Sequence, residues 1–171
     1  GLIYRQGQAF RYILTPEKDI LVIDDLGDLH VFLGSGNQTT ELLALLQAGR
    51  TIVNAFTFGP AIVKDGVALP MPDTYQTRFD SAVRAHRTVI AQTGPLEYMV
   101  VCCEAPARGS SGMTLRQFAE LVATLDVDIA YNLDGGSSTT MVLNGEKINS
   151  PSNPKRREVG DCIYFCTLIP D

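Results

Sequence analysis

The chain has no tryptophan and only two histidines among its 171 residues. It also has no apolar run of the roughly 20 residues that a membrane-spanning helix needs, and no charged-then-apolar export signal opens it. An excess of basic residues is missing as well, since the net charge is -5, whereas a general nucleic-acid binder needs a basic face for phosphate contacts. Membrane-spanning and nucleic-acid-binding functions are therefore not expected.

The four cysteines form no recognisable metal or disulfide pattern. Cys102 and Cys103 are adjacent, so they point to opposite faces of a strand, and the spacing of Cys162 and Cys166 matches no zinc motif. We expect small core residues. A bond between the two strands stays open, and with it the redox compartment.

The composition is that of an ordinary globular domain, with 45% hydrophobic and 19% charged residues and no low-complexity tract. Its length predicts a single domain over residues 1–171. The chain begins abruptly in GLIYRQGQAF, which is typical of strand, turn and strand. We expect an N-terminally incomplete fragment, from which an upstream part with any export signal is absent.

Alternating apolar and polar residues in the first third predict an antiparallel meander of short strands, with His30 as a half-exposed strand residue. A helix is predicted over 39–48, with Gly49 as its left-handed cap. Two hairpin turns are predicted, at Asp65-Gly66 and at Asn144-Gly145. Residues 70–86 have no clear periodicity and are predicted to form a mobile loop near a site.

The second half predicts one strand-helix-strand crossover unit over residues 97–134. The apolar run EYMVVCCEA is followed by a helix that starts at Thr114, with Gln117 completing a capping box, and then by the strand DIAYNLD. Such a unit makes two parallel strands, whose carboxyl ends hold Glu104 and Asp134. The predicted fold class is α+β, with mixed β-sheets, the N-terminal meander, this crossover unit and a C-terminal hairpin.

Asp134 stands at the start of an unusual loop, NLDGGSSTT, in which two glycines and four hydroxyl residues follow the acid. Glycines allow a sharp turn or a close approach of the backbone to a ligand. The loop is not a phosphate-binding P-loop, because it has no Gly-Lys-Ser/Thr and leads into a strand. On spacing alone, a tight turn with a solvated acid is as good an interpretation as a site.

This loop resembles the Asn-Leu-Asp-Gly-Gly-x-Ser-Ser/Thr motif of the phosphodiester glycosidase family. Four further elements are similar in the same order: FGPAIVKDG, HRTVIAQT, SSGMTLRQFAELV and NGEKINSPSNPKRREVGD. The resemblance runs from about residue 54 to the end. Ser137 replaces a glycine common in the family, and an upstream Asn-Gly-Gly-Phe element is missing, which agrees with the expectation of a fragment.

The resemblance implies cleavage of a sugar-1-phosphodiester. We therefore predict Asp134 as the principal catalytic carboxylate and Glu104 as its weaker partner, because glycosidases generally use two carboxylates. His86 is an alternative general acid, since histidine changes its charge near neutral pH. For Arg87 a surface ion pair, and for Asn132 a backbone-satisfying strand end, stay open as structural alternatives.

The predicted substrate-binding residues are polar side chains and glycines of the matching elements. They are Arg87, Thr88, Asn132, Gly135, Gly136, Ser138, Thr139 and Arg157, with the two arginines as phosphate ligands.

We expect no cofactor and predict no metal ion. Asp134, Glu104 and Asp161 could supply oxygens to a divalent cation, but nothing in their spacing demands one.

The expected partner is a glycan or sugar-phosphodiester substrate, in an extracellular or cell-envelope setting. An upstream segment or a second chain that completes the domain is a further expected partner. The alternative function is a non-catalytic module that binds polysaccharide or phosphoglycan.

Overall fold

The computed structural model describes residues 1–71, 82–105, 109–150, 158 and 160–166. The strands are β1 (Leu2–Arg5), β2 (Gln8–Tyr12), β3 (Ile20–Asp24), β4 (Leu29–Phe32), β5 (Ile52–Phe56), β6 (Ala61–Lys64), β7 (Val67–Ala68), β8 (Arg87–Gly94), β9 (Glu97–Cys103), β10 (Ile129–Leu133), β11 (Val142–Leu143) and β12 (Glu146–Lys147). The helices are α1 (Gln38–Gln47), α2 (Leu115–Ala123) and a short 3₁₀ turn (Gly136–Ser138).

The two large sheets lie face to face, with one helix on each outer side. The first sheet has the order β2-β1-β5-β3-β4, the second has the order β7-β6-β10-β8-β9, and β11-β12 forms a separate hairpin. Every strand pair in the described residues is antiparallel. The predicted α+β class and the C-terminal hairpin are confirmed.

The alternation of side chains along the strands builds this layering. In β3, Val22 packs toward α1, whereas its neighbour Leu21 packs between the two sheets. In β8, Val89 packs toward α2, whereas Ile90 packs between the sheets. Each sheet therefore buries both of its faces, which explains the nearly continuous apolar runs of its central strands.

The local signals in the sequence are confirmed. The helix predicted over 39–48 is present as α1, and Gly49 follows it with a φ of 81°, whereas its N-cap, Asn37, was not predicted. Thr114 and Gln117 form the capping box of α2. Both dipeptide turns, Asp65-Gly66 and Asn144-Gly145, have positive φ at each residue, as a tight hairpin turn requires.

The N-terminal strands form two hairpins, β1-β2 and β3-β4, but β5 lies between them in the sheet. The predicted meander is therefore interrupted by a strand that comes after α1 in the chain. Local alternation cannot predict such an insertion, because the pairing of β5 depends on residues about thirty to fifty positions away.

The predicted crossover unit is present as β9, α2 and β10. Both strands pair antiparallel with β8, so they run parallel to each other with β8 between them. Neighbouring strands are about 4.8 Å apart, which separates the axes of β9 and β10 by about 10 Å. Their carboxyl ends lie at the same edge of the second sheet.

All four cysteines are free. Cys103 packs on the α2 side of the second sheet, whereas the Cys102 sulfur is 3.9 Å from the Thr88 hydroxyl, on the other face. Cys162 and Cys166 are exposed, so the expectation of core residues is wrong for this pair. Neither α1 nor α2 is long and apolar enough to cross a membrane, and the described residues contain no other candidate span.

Candidate active site

The predicted site residues gather at the edge of the second sheet where β9 and β10 end and β8 begins. The ladder joins Thr88 to Cys102 on one side and to Leu133 on the other. His86 comes just before β8, Glu104 just after β9 and Asp134 just after β10. Three separate parts of the sequence therefore meet at one edge.

The loop that carries Asp134 is packed against the backbone of His86. The Gly136 N–H donates to the His86 carbonyl at 3.1 Å. A Cβ atom on Gly135 would lie 2.5 Å from the same carbonyl oxygen, closer than a real contact allows. Gly136 has a φ of 57°, in the left-handed region that favours glycine. The two glycines thus permit the close approach that the motif suggested.

Asp134 itself is exposed at the mouth of this edge. Its Oδ1 accepts a hydrogen bond from the Gly135 N–H at 2.9 Å, which fixes the carboxylate relative to the loop. Its position at the end of a strand leaves it accessible to a ligand.

His86 is buried, with 2% of its surface exposed, yet neither ring nitrogen has a hydrogen-bond partner among the described residues. Asn132 is also buried, and its Oδ1 likewise has no partner there. Buried polar atoms of folded proteins are hydrogen-bonded in at least about 90% of cases. Within the part of the chain that the structure describes, these atoms therefore have unused capacity to form hydrogen bonds.

Asn132 is held by the loop between the two sheets. Its Nδ2 donates to the Gly59 carbonyl at 3.2 Å, and its backbone N–H donates to the Pro60 carbonyl at 2.9 Å. Both acceptors belong to the FGPAIVKDG stretch. This stretch therefore orients the residue two positions before Asp134, a role that sequence reasoning did not assign to it.

Thr88 and Thr139 form a hydroxyl pair behind the loop, with 3.1 Å between their Oγ1 atoms. Thr139 is completely buried, and its carbonyl accepts from the Asn149 Nδ2 at 2.8 Å. Burial raises the pKa of the Cys102 thiol beside Thr88, which keeps it in the neutral form at neutral pH. Ser138 is half-buried, and its N–H donates to the Gly135 carbonyl at 3.0 Å.

Glu104 is tied to the segment that follows β12. Its Oε1 accepts from the Ser150 N–H at 2.6 Å, and its carbonyl accepts from the Ser110 hydroxyl. The neighbouring Asn149 bonds the Met141 N–H and the Thr139 carbonyl. Glu104 and the Asp134 loop are thus connected through residues 149–150, which sequence reasoning missed although they lie in a family-matching element.

Arg87 joins two backbone segments. Its Nη2 donates to the Val83 carbonyl at 2.6 Å, and its Nε donates to the Met113 carbonyl at 3.3 Å. Burial raises the pKa of the nearby Cys103 thiol more than the positive charge of Arg87 lowers it. The guanidinium therefore ties the segment before His86 to the segment before α2, and its role as a phosphate ligand stays a prediction.

The other predicted phosphate ligand, Arg157, lies outside the described residues, and so does most of the loop predicted over 70–86. In the described part of the chain no three His, Cys, Asp or Glu side chains are grouped as metal ligands. Asp161, which could supply an oxygen ligand to a divalent cation, instead accepts a hydrogen bond from the Arg5 Nε at 3.2 Å.

Comparison with known proteins gives one family model, described as phosphodiester glycosidase, which matches residues 1–166. The chain is 28% identical over 163 residues to the SPbeta prophage-derived uncharacterized protein YomE of Bacillus subtilis (strain 168). That match covers 95% of this chain and 24% of the relative, so the chain spans about a quarter of that protein.

Among solved structures, the chain is similar to the zebrafish N-acetylglucosamine-1-phosphodiester alpha-N-acetylglucosaminidase catalytic domain, auto-inhibited by its pro-peptide. The TM-score is 0.68 at 23% identity, over 91% of this chain and 53% of that chain, which shows a shared fold. A hypothetical protein from Synechocystis matches with a TM-score of 0.47 at 20% identity, over 82% of this chain and 32% of that chain.

Proposed function

Since the chain belongs to the phosphodiester glycosidase family, we propose that it hydrolyses a glycosyl phosphodiester. The sugar is released and a phosphomonoester remains. The proposed setting is an extracellular or cell-envelope glycan.

One observation carries this proposal: a buried histidine, whose ring nitrogens both lack a partner among the described residues, lies against the loop of an exposed carboxylate. His86 and Asp134 are joined through the Gly136 N–H, which bonds the His86 carbonyl. A glycosidase needs a carboxylate near the anomeric carbon, where positive charge develops, and a group that manages the proton of the leaving group or of water. Asp134 takes the first role and His86 the second.

The polar atoms around this pair suit a sugar phosphate. The unpartnered Oδ1 of Asn132 can accept a hydrogen bond from a sugar hydroxyl. Ser138, in the loop of Asp134, and Thr88, two residues after His86, add hydroxyl groups. Arg87 and Arg157 are the proposed phosphate ligands, since a guanidinium fork can bind two phosphate oxygens.

The second candidate function is a glycan-binding module without cleavage. It is favoured by the hydrogen bond of Glu104 to the Ser150 N–H, which engages the second predicted carboxylate elsewhere. A retaining glycosidase places its two carboxyl groups about 5 Å apart and an inverting one about 6.5–9.5 Å apart. Glu104 and Asp134 follow strands whose axes are about 10 Å apart, with β8 between them, which is wider than the spacing of a retaining pair.

The test is release of sugar from a synthetic N-acetylglucosamine-1-phosphodiester by the chain and by its Asp134→Asn variant. Turnover by the wild type that is lost in Asp134→Asn supports the enzyme. The matched control is Asp65→Asn, which changes another turn aspartate where asparagine is well tolerated at positive φ. Calorimetric binding without turnover in the wild type would instead support the binding module.

A further inference from the structure

An open groove of about 510 Å³ lies along α2, on the side of the second sheet that faces away from the first. Its floor includes Cys103, the last residue of β9. Gln117, Leu121 and Thr124 line it from the helix. Because these positions share one side of α2, the groove follows about 10 Å of the helix, at 1.5 Å per residue.

The groove adjoins the candidate active site. Met113, in its wall, is bridged in both directions to Ala85, the residue before His86. Gly112 makes this contact possible, since a Cβ there would lie 3.1 Å from the Ala85 backbone and 2.7 Å from the Ala105 Cβ. Cys103, in its floor, directly precedes Glu104. Two lining residues of the groove are therefore direct neighbours of the residues that adjoin or form the candidate site, Met113 by the bridge to Ala85 and Cys103 by its bond to Glu104 in the chain.

One end of the groove is cationic. Arg84 is exposed, and its Nη1 donates to the Gly112 carbonyl at 2.8 Å and to the Ser111 hydroxyl at 3.2 Å. Among the described residues its hydrogen bonds use only Nη1, so Nε and Nη2 keep their donors for a ligand. These bonds hold the guanidinium at the groove, which lowers the entropic cost of binding an anion.

The rest of the groove suits a sugar. Leu121 is 39% exposed and offers an apolar surface to the C–H face of a pyranose ring. Gln117 and Glu120 stand beside it with an amide and a carboxylate that can bond hydroxyl groups. The Glu120 carboxylate disfavours a second negative charge at its own position, so the anionic group of a ligand belongs at Arg84.

We infer that this groove binds the alcohol half of the substrate, beyond the phosphate, and that this half is an anionic glycan. Arg84 binds its negative charge, and Leu121 supports one of its sugar rings. The assignment to the alcohol half rests on the proposed function, whereas binding of an anionic glycan does not require cleavage.

The test uses a disaccharide of a uronic acid and N-acetylglucosamine, with a neutral twin whose carboxylate is replaced by a hydroxymethyl group. By calorimetry, the wild type is expected to bind the charged disaccharide more tightly than the twin. Arg84→Gln is expected to weaken charged binding about tenfold, as loss of a charge-assisted hydrogen bond implies. Arg11→Gln, which removes an exposed arginine from β2, is the control with unchanged binding.

A second variant, Leu121→Glu, tests the groove independently in case Arg84→Gln does not fold. Leu121 is partly exposed, and its side chain forms no hydrogen bond. The variant is expected to weaken charged binding several-fold by repulsion. Equal affinities of wild type, Arg84→Gln and Leu121→Glu for the charged disaccharide would overturn the inference, as would no binding at all.

Hydrolysis separates this inference from the proposed function. The wild type should cleave the methyl phosphodiester of N-acetylglucosamine, and it should cleave the diester of the charged disaccharide with a lower KM. Cleavage of both diesters with equal KM overturns the groove assignment and leaves the glycosidase standing. Arg84-dependent binding of the disaccharide without cleavage of either diester supports the groove and rejects the glycosidase.

Discussion

Two polar clusters of the described residues differ in their pairing, and each contains one of the chain's two histidines. In the first sheet, the side chain of Asp24 is completely buried and accepts from the backbone N–H groups of Leu26 and Asp28. Its Oδ2 is 2.7 Å from the His30 ring and 2.5 Å from the Arg50 guanidinium. At the second sheet, His86 and Asn132 are also buried but have polar atoms that lack partners among the described residues.

Arg50 is the guanidinium cation of the Asp24 cluster. Its Nε and Nη2 lack hydrogen-bond geometry, yet Nε lies 3.5 Å from an Asp25 oxygen and Nη2 lies close to Asp24 and Asp28. Its charge is therefore compensated by carboxylates at short range. Among the described residues, His86 forms no ion pair with a carboxylate.

The difference separates two uses of buried polarity. A paired cluster contributes to stability, and breaking it leaves an uncompensated charge in the interior. An unpartnered polar group costs stability, so a fold that retains one gains from it in binding or catalysis. We interpret the Asp24 cluster as structural and the His86 cluster as functional.

Exchanging each histidine for leucine gives the largest contrast. We expect His86→Leu to lower kcat/KM about 10²–10⁴-fold, the usual contribution of a general acid or base, without loss of thermal stability. His30→Leu should lower the thermal stability and leave kcat/KM unchanged, because it removes a partner of buried Asp24. Sugar release and thermal melts of both variants measure this. Full activity in His86→Leu would break the comparison.

Removing the central acid of the paired cluster should affect stability alone. Asp24→Ala leaves Arg50 without its closest carboxylate, and breaking a buried ion pair costs about 3–5 kcal/mol. Urea unfolding gives the change in the free energy of unfolding. At temperatures where the variant is folded, kcat/KM should match the wild type, and a variant as stable as the wild type would contradict the structural role.

A methyl group at Gly135 should disturb the functional cluster through sterics. Gly135→Ala places its Cβ 2.5 Å from the His86 carbonyl, so the loop must shift, at a typical cost of about 1–3 kcal/mol. Activity should fall with it, because Asp134 moves with the loop. The matched control is Gly160→Ala, whose Cβ would meet nothing within 4 Å and should change neither property.

The smallest expected effect is the dependence of stability on pH in the acidic range. Burial, the strongest single influence on Asp24, raises the pKa of its carboxyl, but hydrogen bonds from its neighbours outweigh burial and hold the pKa below the usual 3.8. Such a group adds stability that is complete above its unfolded-state pKa and is lost as pH falls through the folded-state pKa. The wild type should therefore lose more stability than Asp24→Asn as pH drops below 3.8. Parallel curves in urea unfolding would refute this.

Local chemistry made part of the fold predictable. The turn at Asp65-Gly66 and the capping box of Thr114 and Gln117 depend on residues within a few positions, and the structure has them as predicted. The insertion of β5 between two hairpins depends on distant pairing. Exposure of Cys162 depends on where the C-terminal segment lies, which composition does not reveal.

The candidate site was predictable in its members more than in its contacts. The crossover unit places Glu104 and Asp134 at one sheet edge, as the structure does, whereas the position of His86 at that edge did not follow from the sequence. The bond from Ser150 to Glu104 spans 46 positions and that from Asn132 to Gly59 spans 73, so neither follows from spacing. The unpartnered nitrogens of His86 are likewise a property of the packed structure.

The most direct test is NMR of the two histidine rings during titration with N-acetylglucosamine-1-phosphate. Because the chain has only His30 and His86, each ring can be assigned from one variant. We predict saturable shifts of the His86 ring signals, with those of His30 unchanged. Saturable binding that leaves the His86 ring signals in place would contradict the claim that the unpartnered cluster is the substrate site.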